Sequence, residues 1–271
     1  MQTIQTLIFM TSSLFDLTGK RALITGGTQG IGEGIARGLA EAGATVLINA
    51  RNKEKMDACI TRFLDAGIKA EGFVFDITQP GAVRKSIDDI EAGSGPIDIL
   101  VNNAGIIKRS PAEDMEEDDW NEVINTNLTA PFSVSKYVGR YMIRRQSGKI
   151  INICSLMSEL GRDTVAAYAA AKGGLKMLTR NLATEWAHHN IQVNGIGPGY
   201  IATPINTSYR EPGNPLNEYI LSRTPAGRWG TPQDLAGAAV FLASAASDFV
   251  NGQIIYVDGG LISTFGKPFE K

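Results

Sequence analysis

Arg21-Ala22-Leu23-Ile24-Thr25-Gly26-Gly27-Thr28-Gln29-Gly30-Ile31-Gly32 reads as an apolar strand running straight into a glycine-rich turn and the start of a helix. Gly26, Gly30 and Gly32 set the spacing Gly-x-x-x-Gly-x-Gly. Glycines let a backbone turn tightly and approach a pyrophosphate, whose charge the following helix N-terminus stabilises. A glycine cluster alone is a weak signal. Between a strand and a helix it points to a dinucleotide site formed by Gly26, Thr28, Gln29, Gly30, Ile31 and Gly32.

Outward from this unit, short apolar strands alternate with longer helical patterns. Strands are predicted at residues 21–25, 45–49, 70–75, 97–101, 149–153, 192–196 and 253–257. The longest helical patterns cover residues 120–145 and 166–187. This alternation predicts an α/β fold: a single-domain, Rossmann-type, doubly wound parallel sheet of about seven strands with helices on both faces. Ligands then bind beyond the carboxyl ends of the strands. The chain's 271 residues suffice for one such domain, expected over residues 14–271. Residues 1–13 carry neither a basic segment nor a cleavage pattern, so a frayed extension is expected there rather than a signal peptide. Pro204, Pro212, Gly213, Pro215 and Pro225 break up residues 204–225, directly after the sixth strand. A flexible lid over the crevice is expected there, with a passive surface loop as the alternative.

Composition excludes several classes. A net charge of −2 provides no electrostatic footprint for nucleic acid or an anionic membrane, and no apolar run is long enough to span one. Cys59 and Cys154 are the only cysteines, without zinc spacing, so reduced thiols and a cytoplasmic location are expected. No metal-ligand cluster is legible.

The end of the second strand selects the dinucleotide. NAD sites usually place an acid there to bond the ribose 2′-hydroxyl, but this chain reads Asn49-Ala50-Arg51. Arg51 is placed to meet a 2′-phosphate, which favours NADP(H); the alternative is a solvated arginine ahead of Lys53, Glu54 and Lys55. Asp76, with Ile77 beside it, closes the third strand, where it can bond the adenine edge or cap the next helix.

Farther along, Tyr168 and Lys172 stand four residues apart in a helical pattern, so phenol and ammonium share one face. Ser155 lies upstream at the end of the fifth strand. Together with Thr25 to Gly32, Asn102-Asn103-Ala104-Gly105, Asn127 and Pro198-Gly199, these residues resemble the short-chain dehydrogenase/reductase family, in its order and across almost the whole chain after Leu14. The resemblance implies roles. Tyr168 would be the acid/base that exchanges a proton with the substrate oxygen. Lys172 would favour ionisation of that phenol and hold the nicotinamide ribose. Ser155 would position the reacting carbonyl, and Asn127 would hold a water linking Lys172 to solvent. Asn103, Ala104 and Gly105 would line the adenine–ribose side, and Pro198, Gly199, Ile201 and Thr203 the nicotinamide end. The family also implies a homotetramer, for which Ala166, Ala167, Ala169, Ala170, Gly173 and Gly174 offer a close-packing helix face.

Within the family, residues 153–164, 105–109 and 226–230 resemble the gluconate 5-dehydrogenase subgroup, which interconverts D-gluconate and 5-keto-D-gluconate; the last two segments are shared with deoxygluconate dehydrogenases. A small sugar-acid substrate suits the residues. Arg109 follows the fourth strand, within reach of a carboxylate, and Glu159 and Arg162 are candidates to bond sugar hydroxyls. These three could instead form a surface ion-pair network. A 3-oxoacyl-acyl-carrier-protein reductase is the enzymatic alternative, since Lys108, Arg109, Arg144 and Arg145 could receive a carrier. An NADPH-binding sensor without turnover is the other, although it would have no need of the Ser155, Tyr168 and Lys172 set.

Overall fold

The computed structural model describes residues 14–265; the expected extension at 1–13 lies outside them. Seven strands form one parallel sheet: β1 (Arg21–Thr25), β2 (Thr45–Ala50), β3 (Ala70–Val74), β4 (Ile99–Asn102), β5 (Gly148–Ile153), β6 (Ile191–Pro198) and β7 (Ile254–Val257). Their order is β3-β2-β1-β4-β5-β6-β7. The order reverses between β1 and β4, which opens a crevice at their carboxyl ends.

Side-chain alternation explains why both faces are covered. Leu23, Leu47, Leu100 and Ile150 join one core cluster, while their neighbours Ile24, Ile48, Val101 and Ile151 join the other. Successive strand residues point to opposite faces, so a continuous apolar run buries both. Helices α1 (Gly30–Glu41), α2 (Lys53–Asp65) and α8 (Ala236–Ala243) contribute Ile35, Phe63 and Leu242 to one layer. Helices α3 (Pro80–Gly93), α5 (Ala130–Arg145) and α6 (Ala166–Trp186) contribute Ile87, Val134 and Leu182 to the other.

The helix predicted over residues 120–145 is not continuous. It consists of α4 (Glu117–Ile124), a π-helical turn (Asn125–Thr129) and α5. Pro131 supplies the reason: it has no N–H to give the carbonyl of Asn127, four residues earlier, and its ring pushes that carbonyl away. Residues 204–225 are more ordered than their breakers suggest. A 3₁₀ stretch (Pro204–Arg210) leads to α7 (Pro215–Arg223), capped by Asn214, whose Oδ1 accepts from Leu216 N–H at 3.0 Å. Among the described residues, no helix is long and apolar enough to cross a membrane.

Candidate active site

A cavity of about 710 Å³ opens at the carboxyl ends of the strands. Every residue predicted for the site lines it, with the exception of Glu159.

At its dinucleotide end, β1 hands the chain to α1 through Gly26, whose φ of +63° suits glycine, and an added Cβ would lie 2.9 Å from Ala104 Cα. The first bond of α1 runs from Glu33 N–H to Gln29 O, and Gln29 makes no side-chain cap. The N–H groups of Gly30, Ile31 and Gly32 therefore face the crevice as an anion cradle, which fits a pyrophosphate. Asn103 lines the cavity and has a further task. Its Nδ2 donates to the carbonyls of Thr25 (2.9 Å) and Gly26 (3.0 Å), so its amide braces the glycine turn. Thr25 Oγ1 accepts in return from the N–H groups of Asn103 and Ala104.

Arg51 stands at the end of β2 with its side chain 67% exposed and its nearest acid, Asp76, 4.0 Å away. That leaves the guanidinium free to meet a 2′-phosphate. Asp76 is not the helix cap, a position taken by Gln79. Its Oδ1 instead accepts from the Thr78 N–H and hydroxyl, closing a tight turn and leaving Oδ2 at the cavity end of β3.

The reacting end rests on two anchors. Lys172 is buried on α6, and its Nζ donates to Ile153 O, the last residue of β5, at 2.7 Å, with Nζ 5.6 Å from the centre of the Tyr168 ring. Ser155 caps the 3₁₀ turn Leu156–Ser158: its Oγ accepts from Met157 N–H at 3.1 Å, which leaves the hydroxyl hydrogen available to a substrate oxygen. Ser158 Oγ, donating to Lys172 O at 2.9 Å, ties that turn to α6. Asn127 uses both amide hydrogens, on Ile106 O and Val123 O, and its Oδ1 accepts from Ile106 N–H. Its side chain thus pins the loop after β4, with one lone pair left for a water. Cys154 also lines the cavity; burial pushes its thiol up to about 11, so it stays neutral.

Two arginines line the same cavity as Ser155 and Tyr168. Arg109 and Arg162 come from separate loops joined by Ser110 N–H donating to Thr164 O at 3.0 Å. Arg109 makes no ion pair among the described residues, whereas Lys108 beside it is held by Asp119 and Glu122. Glu159 is a correction. Both its oxygens lie 2.5 Å from Lys176 Nζ, and the Tyr256 hydroxyl donates to it at 2.8 Å. This cluster turns the carboxylate away from the cavity; Lys176 and Tyr256 hold its carboxyl below the usual range. The helix face proposed for assembly divides too: Gly174 packs against Leu128 and Ala167 is buried within the chain, while the Gly173 position is open.

Sequence reasoning missed Met157, Tyr200 and Ile205, which also line the cavity. Tyr200, directly after Pro198-Gly199, was within reach of the motif argument. Ile205 depends on how the 204–210 stretch folds back.

The chain matches the family profile described as enoyl-(acyl carrier protein) reductase over residues 26–262. It is 56% identical over 260 residues to the 2-dehydro-3-deoxy-D-gluconate 5-dehydrogenase of Formosa agariphila, covering 96% of this chain and 98% of that protein. It is 49% identical over 251 residues to the 5-keto-D-gluconate 5-reductase of Escherichia coli K12, covering 93% and 98%. Among solved structures, a gluconate 5-dehydrogenase from Burkholderia cenocepacia J2315 in complex with NADP and tartrate superposes with a TM-score of 0.90 at 52% identity, covering 94% of this chain and 99% of that one. With this agreement along nearly its whole length, and with Ser155, Tyr168 and Lys172 gathered at one cavity, the chain belongs to the short-chain dehydrogenase/reductase family.

Proposed function

We propose that this chain is an NADP-dependent oxidoreductase acting on a CH–OH group, and that it interconverts D-gluconate and 5-keto-D-gluconate. One observation carries the substrate reading: Arg109 and Arg162 line the same cavity as Ser155, Tyr168 and Lys172, where Asp76, at the opposite end, is the sole carboxylate among the lining residues. A cavity so charged accepts an anion at its reacting end, and guanidinium forks match a carboxylate. The relatives named for 5-ketogluconate and gluconate point the same way.

The bound dinucleotide supplies or accepts the hydride. Gly30, Ile31 and Gly32 would hold its pyrophosphate, and Arg51 would meet its 2′-phosphate. In reduction, the Ser155 hydroxyl donates to the substrate carbonyl while Tyr168 delivers a proton to the same oxygen. In oxidation, Tyr168 takes that proton back. Lys172, with one N–H on Ile153 O, keeps two donors for the ribose and for a water leading to solvent.

A second reading, a 3-deoxy sugar acid oxidised at carbon five, is favoured by the 56% identity to the Formosa agariphila enzyme. Both substrates carry a carboxylate at carbon one and react at carbon five, so the same arginines serve either. The carrier-protein reading has less support, because two of its four basic residues are paired with acids. Arg145 pairs with Glu91 and Lys108 with Asp119 and Glu122, which leaves Arg109 and Arg144, the latter stacked on Tyr141 with its charge intact. We propose a homotetramer as the assembly, to be checked by sedimentation. The deciding assay follows NADPH absorbance with 5-ketogluconate, the 2,5-diketo-3-deoxy acid and an acetoacetyl thioester. Fastest turnover of 5-ketogluconate supports the first reading, and of the deoxy acid the second. Turnover of the thioester alone would overturn both, and none at all would favour a sensor.

A further inference from the structure

Arg162 has a more defined setting than Arg109. Its Nη1 donates to the Tyr200 hydroxyl at 3.2 Å, and its guanidinium carbon lies 6.0 Å from the Tyr200 ring centre. Its ion partner, Asp163, is 3.8 Å from Nε and has a carboxylate 88% exposed, too solvated to fix the guanidinium. Tyr200 is itself held from behind. Its ring packs edge-on against Trp229, with centroids 5.7 Å apart at 72°, and Trp229 Nε1 donates to Asn217 Oδ1 of α7 at 2.7 Å. The two aromatic residues are also joined through the backbone: Gly230 N–H donates to Tyr200 O, and Ala202 N–H to Gly230 O. Tyr200 lines the main cavity on one side and a smaller one, of about 150 Å³, on the other. It therefore stands between the two cavities, in contact with Arg162 on one side and with Trp229, which is bonded to α7, on another.

We infer that Tyr200 is a positioning residue for the substrate carboxylate, and that the chain Arg162–Tyr200–Trp229–Asn217 couples the grip on that carboxylate to the seating of residues 204–223. The inference rests on the sugar-acid reading above. An arginine has many rotamers, and a fixed acceptor for one guanidinium hydrogen leaves the rest of the fork aimed at the cavity. A carboxylate that draws on Arg162 thereby steadies Tyr200, and Trp229 carries the constraint to α7. The 3₁₀ stretch beside α7 places Pro204, Ile205 and Asn206 at the cavity mouth, so its seating determines how well the substrate is covered.

Tyr200→Phe removes the hydroxyl and keeps the ring against Trp229. The KM for 5-ketogluconate should rise about five- to tenfold, the effect of one lost hydrogen bond of ordinary strength acting through Arg162, with kcat within about threefold. The KM for L-sorbose, the same ketone without the carboxylate, should move less than about twofold, because no arginine contact is at stake. On an Arg162→Ala background, Tyr200→Phe should add nothing. Limited proteolysis within 204–223 reads the coupling: 5-ketogluconate with NADP should protect the unaltered enzyme, and Trp229→Phe, which deletes the bond to Asn217, should abolish that protection. Additive losses, an equal rise in the KM for L-sorbose, or full protection in Trp229→Phe would overturn the inference. If Arg162→Ala weakens 5-ketogluconate and Tyr200→Phe does not, the inference fails while the sugar-acid reading stands. If the unaltered enzyme handles 5-ketogluconate and L-sorbose with equal KM, that reading fails first and this inference with it.

Discussion

Replacing Arg51 with alanine should separate NADPH from NADH. The side chain is 67% exposed, and its nearest acid, Asp76, is 4.0 Å away, so little intrachain bonding is lost when it goes. What would be lost is the proposed charge-assisted pair with a 2′-phosphate. Such bonds contribute about 1.5–3 kcal/mol when sheltered, and ion pairs in open solvent no more than about 1 kcal/mol. At this exposure we expect about 1.5–2 kcal/mol, or roughly 10- to 30-fold in Kd for NADPH. NADH lacks the phosphate and should change less than about twofold. Titration of reduced-nicotinamide fluorescence measures both constants directly. The NADPH penalty should shrink as salt is raised, since an exposed pair is screened over about 10 Å at 0.1 M. Asp76→Asn is the companion: it removes a negative charge near the phosphate while Oδ1 still accepts from Thr78, and should tighten NADPH modestly. Equal losses for both cofactors in Arg51→Ala, or an NADPH change indistinguishable from that of NADH, would refute the 2′-phosphate contact.

Tyr168→Phe should lower kcat by about 10²- to 10⁴-fold while leaving NADPH affinity nearly intact; retained turnover would remove Tyr168 as the acid/base. Arg109→Ala should raise the KM for 5-ketogluconate about tenfold and leave L-sorbose unaffected, and equal effects would sink the carboxylate contact. Gly105→Ala puts a Cβ 2.5 Å from Asn127 Oδ1 and should destabilise by about 1–3 kcal/mol, read as a lower Tm; an unchanged Tm would contradict the pinned loop. Glu159 has a folded pKa below its unfolded value of about 4.3, so its contribution is present above that pH and fades as acid titrates it. Glu159→Gln should therefore lose less stability than the unaltered enzyme between about pH 5 and 3, with the KM for 5-ketogluconate unchanged. Identical acid profiles would show that the Lys176 pair contributes nothing.

Much of this protein is legible locally. The strands alternate between two faces, so runs such as Ala22-Leu23-Ile24 announce a sheet buried on both sides without any knowledge of partners. The glycine turn and the Tyr168–Lys172 pair depend on spacing within one turn or one helix, and spacing is written in the chain. Arg51 and Ser155 are legible because a residue at a strand's carboxyl end reaches the crevice wherever that strand sits. Even the π turn at Asn125–Thr129 had a local cause, in Pro131, and could have been anticipated.

What the sequence by itself could not determine is which neighbour each polar group finds across long separations. Glu159 lies between Ser155 and Tyr168 in the chain and was a natural substrate contact, yet Lys176 and Tyr256 claim it because β7 and α6 pack on that side. Asn103 and Asn127 belong to cofactor and catalytic motifs, but folding sets their amides against the carbonyls of Thr25 and Ile106. Arg162, Tyr200 and Trp229 meet only once loops after β5 and β6 converge. The sequence determined which elements form and which residues stand at their ends, since those follow from local periodicity and sterics. Only the tertiary structure decided which charges remain free for a ligand, because a charge is free or paired according to groups that the packing brings within a few ångströms.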